Sequence, residues 1–255
     1  GEPYDSIMPL KPLEVQVGVS SQLDPDKNIR FTFPTPLSKA DTAGIHLYAK
    51  HDTLWYRAPF EFKPVPNKLR EYELRGEWRP NIEYSLEVDS AAFEDIYGLA
   101  TTAIKQGFKV SSLDEYGTLL VNITSLTDEP LLVQLLNGQD QVVKEVKAIN
   151  GVAEFYYLKP QKYYLRLIVD RNNNGKWDTG CYDEDQQAEE VYYYPGAIEC
   201  KAKWDVTESW DPKEKPLSHQ KPGAITKQKP DKEKKVKNQN VERAKKLGIQ
   251  YIPKI

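Results

Sequence analysis

From Leu13 onward the chain alternates apolar and polar residues with a period of two. "LEVQVGV" is the first such run and "NIRFTFPTPL" the second, closed by two prolines. "GIHLYAK", "TLWYRAPFEFKPV", "REYELRG" and "NIEYSLEVDSAAFEDIYG" continue it, with turn residues between them. Strands that recur every 8–14 residues without a helical period predict an all-β sandwich. Near Phe108–Ser112 the pattern restarts. "GTLLVNITSL" and "PLLVQLLNGQDQVVKEVKA" supply new strands, with a hairpin turn expected at Asn137-Gly138. "GVAEFYYLKPQKYYLRLIVD", "VYYYPG" and "AIECKAKWDV" complete a second sandwich.

The expected organisation is therefore an extended leader over 1–12, one sandwich over 13–110 and another over 111–210. A Pro- and Lys-rich tail, 211–255, follows. Within it "PDKEKKVKNQNVERAKKLG" predicts a short C-terminal helix over about 231–247, started by Asp231 and stopped by Gly248.

Composition agrees with sheet. The chain has 16 tyrosines and 5 tryptophans, residues suited to half-buried pleated surfaces. Charge divides it differently. From Asp211 onward there are 13 Lys or Arg against 5 Asp or Glu, whereas the rest has 22 against 33. The basic tail carries no aromatic residue among its lysines except Tyr251 and has one arginine, so it reads as solvated or self-docking and not as a nucleic-acid arm. No apolar run approaches the ~20 residues that cross a bilayer, so no transmembrane segment is expected in this chain.

The stretch "VDRNNNGKWDTG" holds the one candidate metal site. Asp170, Asn172 and Asn174 take the first, third and fifth places of a calcium loop, Gly175 the bend, Lys176 a backbone carbonyl and Asp178 the ninth place. The twelfth place, normally a bidentate Glu, is Cys181, and the flanks read as strands. The same residues also build a rigid turn without metal, because Asn and Gly accept left-handed backbone and Asx side chains bond their own main chain. In that case Trp177 would cover the sandwich end. The acidic pair Glu189-Glu190 lies in a polar run and reads as solvated.

Cys181 and Cys200 are a disulfide candidate if their strands run past each other, and otherwise two separate thiols. Tyr192, Tyr193 and Tyr194 fall in a tyrosine-rich region; those pointing outward are candidate binding residues for a protein or a glycan. No nucleophile with a base, no G-x-S-x-G elbow and no phosphate loop is present, and His46, His51 and His219 are scattered.

Residues 80–110 resemble the closing half of the bacterial Ig-like domain of surface-layer and envelope proteins, through Pro80, Tyr84, Asp95, Tyr97-Gly98 and Phe108. Residues 163–180, 189–198 and 244–255 resemble the C-terminal module of Ig-like-domain lipoproteins from Bacteroides-type bacteria. The second sandwich is also similar to transthyretin-like and collagen-adhesin B-type repeats, in which Leu158, Pro160, Tyr163, Leu165 and Arg166 would carry the chain over the sandwich edge. The resemblance implies a non-catalytic structural or adhesive module of the cell envelope, in a parent often lipid-anchored. A carbohydrate-binding accessory module with a calcium-shaped loop is the alternative, and a hydrolase with an unrecognised carboxylate pair is the third.

Overall fold

The computed structural model describes residues 11–178 and 188–226. The expected helix over 231–247 and Cys181 lie outside the described residues.

The first eleven strands are Gln16–Val17 (β1), Gln22–Leu23 (β2), Ile29–Thr32 (β3), Leu37–Ala40 (β4), Ile45–His51 (β5), Leu54–Arg57 (β6), Phe60–Pro64 (β7), Glu71–Gly76 (β8), Glu83–Val88 (β9), Phe93–Asp95 (β10) and Ile104–Val110 (β11). They form one sheet ordered β1-β3-β8-β7, a second ordered β2-β11-β9-β5-β6, and the pair β10-β4. Period-two alternation explains the layering. Tyr84, Leu86 and Val88 of β9 point inward and are buried, while Glu83, Ser85 and Glu87 point out. Ile29, Phe31, Leu47, Leu74, Leu86, Phe93 and Phe108 are among the residues that fill the space between the sheets. Phe93 packs its ring on Phe31, Phe33 and Phe62 with centroids 6.0, 5.1 and 5.5 Å away, within the range of favourable aromatic pairs. Asp95, also buried, closes the turn beyond β10. Its carboxylate accepts the Tyr97 and Leu99 N–H groups, both at 2.9 Å, and the Thr35 hydroxyl at 2.7 Å.

The remaining strands are Gly117–Ile123 (β12), Leu131–Leu136 (β13), Val142–Lys147 (β14), Val152–Leu158 (β15), Gln161–Val169 (β16), Val191–Tyr193 (β17), Ile198–Cys200 (β18) and Asp205–Trp210 (β19). β15-β12-β19 is one sheet, with β12 and β19 parallel. β14-β13-β16-β17 is the facing sheet, and β18 also pairs with β16. Lys159 and Pro160 carry the chain from one sheet to the other, and the Tyr163 hydroxyl donates to the Lys159 carbonyl at 2.7 Å across that corner. A separate core of Leu119, Val121, Val133, Leu135, Phe155, Leu165, Leu167 and Trp210, with others, lies between these sheets.

The hairpin expected around Asn137-Gly138 joins β13 to β14, through a five-residue connection. The Asn137 side chain accepts the N–H groups of Gln139 and Gln141 at 2.9 and 3.0 Å, and Asp140 takes the positive φ of 60°. The Asx cap of the loop start decides the geometry.

The two sandwiches meet through a short connector. Ser111 N–H donates to the Leu23 carbonyl at 3.0 Å, and Ser112 and Glu115 form a capping box on the short 3-10 turn Leu113–Glu115. Tyr116, 6% exposed, donates its hydroxyl to Asp24 at 2.6 Å. Lys159 sits 3.1 Å from the other Asp24 oxygen, and Lys144 donates to Asp26 at 2.7 Å. Burial, reinforced by the Asp24 carboxylate, raises the Tyr116 pKa, so the hydroxyl stays protonated as the donor.

A candidate cation loop

β16 ends at Val169 and the next residue, Asp170, is 1% exposed. A carboxylate buried there must be satisfied, and the loop folds to satisfy it. Asn174 N–H donates to Asp170 Oδ1 at 3.1 Å and Gly175 N–H to Oδ2 at 2.8 Å. Those bonds require a sharp reversal, which Asn173 and Gly175 supply with φ of 54° and 74°. The Asn172 and Asn174 side-chain oxygens take the main-chain N–H groups two residues on, at 3.1 and 2.8 Å. Both amide nitrogens donate to Asp178 Oδ2, the one from Asn174 at 2.7 Å. Asp170, Asn172, Asn174 and Asp178 are thus brought together. Lys176 enters through its backbone N–H, as donor to Asn174. Trp177 is 52% exposed, so it is not the cover of the sandwich end that the turn reading expected.

Glu189 is the residue that sequence reasoning missed. It is 9% exposed, not solvated, and its Oε2 accepts the Asp178 N–H at 3.0 Å. Its Oε1 is buried with no hydrogen-bond partner among the described residues. A run of charged residues hides such a position: alternation with the core residue Tyr192 would turn Glu190 inward, but it is Glu189 that is buried, folded back onto the Asp178 N–H. Its neighbour Glu190 faces out and pairs with Arg171 at 3.1 Å. Among the described residues, no group of three or more His, Cys, Asp or Glu side chains forms a metal cluster; any cation here would lean on the Asn side chains and main-chain carbonyls.

The three tyrosines do not make a common outward face. Tyr192 is buried and its hydroxyl donates to Glu190 at 2.7 Å; burial and that carboxylate push its pKa up to about 12. Tyr193 is half-buried beneath the Lys221 ammonium, which lies 5.2 Å from the ring centre. Tyr194 packs edge-on against Trp210 at 5.7 Å and donates to Glu208 at 2.9 Å. Tyr192 points into the core and so is not an outward binding residue; Tyr193 is covered because the segment after β19 folds back over it. Gln220, 3% exposed, accepts the Tyr193 N–H at 2.9 Å and donates to the carbonyls of Pro212 and Lys215. Ile225 joins Leu136 and Tyr164 in a small apolar cluster. Cys200 is buried in β18, and burial raises its pKa to about 11; its candidate disulfide partner Cys181 lies outside the described residues.

Two histidine contacts have the elements of acid–base chemistry. His46 Nε2 lies 3.1 Å from Asp89 Oδ2, and Ser218 Oγ lies 2.9 Å from His219 Nδ1. They sit on different sandwiches. The serine and histidine of the second are adjacent in an exposed turn, and among the described residues no carboxylate bonds to His219.

No protein-family model matches the sequence. No curated protein matches it. The solved structures similar to this chain include three at 9–10% identity. The native alpha-2-macroglobulin of Escherichia coli spanning domains MG0-NIE-MG1 aligns with a TM-score of 0.34, over 71% of each chain. The Bacillus anthracis TIE protein aligns at 0.24, over 81% of this chain and 41% of its own. The N-terminal part of the bacterial S-layer protein SbsC aligns at 0.31, over 79% and 45%. Likenesses this distant carry no argument about activity.

Proposed function

We propose that this chain is a non-catalytic structural part of a bacterial cell-envelope protein: a stiff pair of sandwiches that spaces or displays partners at the cell surface. The observation that carries the reading is the joint. Asp24 and Asp26, in the turn after β2, collect Tyr116, Lys144 and Lys159 from the second sandwich. Two beads on a free linker need no such contacts; a spacer does, because inter-domain motion is otherwise the default. The Ig-like signature at Pro80, Tyr84, Asp95 and Phe108 supports the envelope assignment, and lipid anchoring of the parent belongs to the same proposal. Two experiments test it. Protease shaving of intact producing cells should release peptides of this chain, and recovery only from the cytosolic fraction would sink the envelope reading. Small-angle scattering should show a narrow distance distribution that broadens in Asp24→Ala/Asp26→Ala; unchanged curves would remove the spacer role.

A second reading, calcium at the loop, is favoured by Glu189. A buried carboxylate oxygen with no partner among the described residues is costly if left so, about 1–3 kcal/mol, and a cation would satisfy it. Rotating the Asn172 and Asn174 amides would place oxygens where their nitrogens now meet Asp178, at the expense of two Asx-turn bonds. A ligand that binds the native state alone raises the unfolding midpoint. Millimolar calcium after EDTA should raise it by several degrees, magnesium less, and Glu189→Gln should abolish the rise. No shift would leave a turn built by Asn and Gly.

A further inference from the structure

The outer face of the five-stranded sheet in the first sandwich carries a trough. In antiparallel pairing, residues directly opposite share a face. Ser85 of β9 lies opposite Tyr48 of β5 on one side and Gly107 of β11 on the other. Ser85 and Gly107 are short, so this row is low. The rows on either side are tall. One runs Trp55, Lys50, Glu83, Lys109, and the other His46, Glu87, Lys105. Two hollows result, of about 280 and 360 Å³. Tyr48, Ser85, Glu87 and Lys105 line the first, Glu83, Gly107 and Lys109 the second, and Trp55 stands between them, lining both.

We infer that this trough binds a glycan through uncharged pyranose rings. Three features select that chemistry. Trp55 is 47% exposed on an edge strand whose four residues are all exposed, and the Lys50 ammonium lies 5.9 Å from its ring centre. A pyranose presents a C–H face that matches an indole. Two of the three lysines around it are already paired: Lys50 with Glu83 at 3.0 Å and Lys105 with Glu87 at 3.2 Å, while Lys109 has no ion pair among the described residues. An anion could claim only Lys109 without breaking those pairs, whereas hydroxyl groups can donate to each carboxylate and accept from each ammonium. Each hollow lies near the lower end of the ~300–1,000 Å³ range of small-molecule sites, so together they suit consecutive sugar units. This inference does not depend on the envelope reading, and a failed shaving experiment would leave it standing.

Gly107 provides the test. A Cβ added there meets nothing within 4 Å, and its φ lies outside the positive region, so Gly107→Val fills the floor without disturbing the fold. The intact chain, Gly107→Val, Trp55→Ala and the control Trp177→Ala would be titrated calorimetrically with cellohexaose, maltohexaose, mannohexaose and chitohexaose, and with polygalacturonate as the anionic probe. The expected result is binding of at least one neutral hexasaccharide, at least tenfold weaker in Gly107→Val and Trp55→Ala and unchanged in the control. Unchanged binding in both trough variants overturns the inference. So does preference for the anionic probe, absence of binding to all neutral probes at millimolar concentration, or capture by β6 of an added peptide strand in place of a sugar.

Discussion

The two five-stranded sheets invite comparison, because one wears its outer face open and the other does not. In the first sandwich, β9 reads "EYSLEV" and buries its alternate Tyr84, Leu86 and Val88, leaving Glu83, Ser85 and Glu87 for the outer row. In the second, β13 reads "LLVQLL" and every position is buried. Its inner residues Leu131, Val133 and Leu135 belong to the core. Its outer Gln134 is held between Arg166 and Glu145, and Leu136 lies under Ile225. Continuous apolar character in a strand thus signals a covered second face, and strict alternation an open one. The strap that covers the second sheet takes up Tyr193, a candidate outward tyrosine; the open sheet keeps Trp55 at the surface.

The largest test of this contrast is to empty one core at a time. Phe93→Ala should cost the first sandwich about 3–5 kcal/mol and lower only its unfolding midpoint, followed by near-UV signals and denaturant titration. A shift of both transitions together would mean that the joint couples the cores. Ile225→Ala tests the strap and should cost about 2–5 kcal/mol if the cluster with Leu136 and Tyr164 is as closed as its burial indicates; hydrogen exchange at Tyr193 N–H should rise with it.

Acid gives a narrower probe. Burial works against ionisation of Asp95, but the Thr35, Leu99 and Tyr97 hydrogen bonds outweigh it and hold its carboxyl below the usual range. A depressed pKa stabilises the fold above the unfolded value, here 3.8, and that contribution is lost as pH falls through the folded value. The stability gap between wild type and Asp95→Asn should therefore be constant near neutrality and close below pH 3.8. A gap that ignores pH would assign the site to shape alone.

Tyr116→Phe removes one bond of the joint and should cost about 1 kcal/mol, with Asp24 still facing Lys159. At the small end lies the open face itself. Trp55→Ala should change stability by no more than about 0.5 kcal/mol, since it unpacks nothing buried. A larger loss would show that the indole supports the fold, and would weaken its assignment to a ligand.

Much of the fold was legible residue by residue. "LEVQVGV", "NIRFTF" and "EYSLEV" announce strands because a period of two has no other common use. The crossing at Lys159-Pro160 was legible because Pro cannot donate to a strand ladder, and the turn at Asp95 through the resemblance to the bacterial Ig-like domain. At Asn137-Gly138 the hairpin itself was legible, but its five-residue width was not, because the Asn137 side chain caps a wider turn. The loop from Asp170 to Asp178 was legible as a set of side chains around a bend. Glu189 was not, since a residue eleven positions away joins the loop only after β17 pairs with β16.

What the sequence by itself determined is the local grammar: which residues extend, which turn, and which face of each strand is apolar. Those are consequences of φ/ψ preference and side-chain alternation, and they act over a few residues. What only the tertiary structure decided is cover and convergence. Trp55, Ser85 and Gly107 make a trough because three strands distant in sequence align in register, and Tyr193 is covered because Gln220 and Ile225 return from beyond β19. Both outcomes depend on which surfaces exclude water from which others, and that is a property of pairs of segments, not of either segment alone.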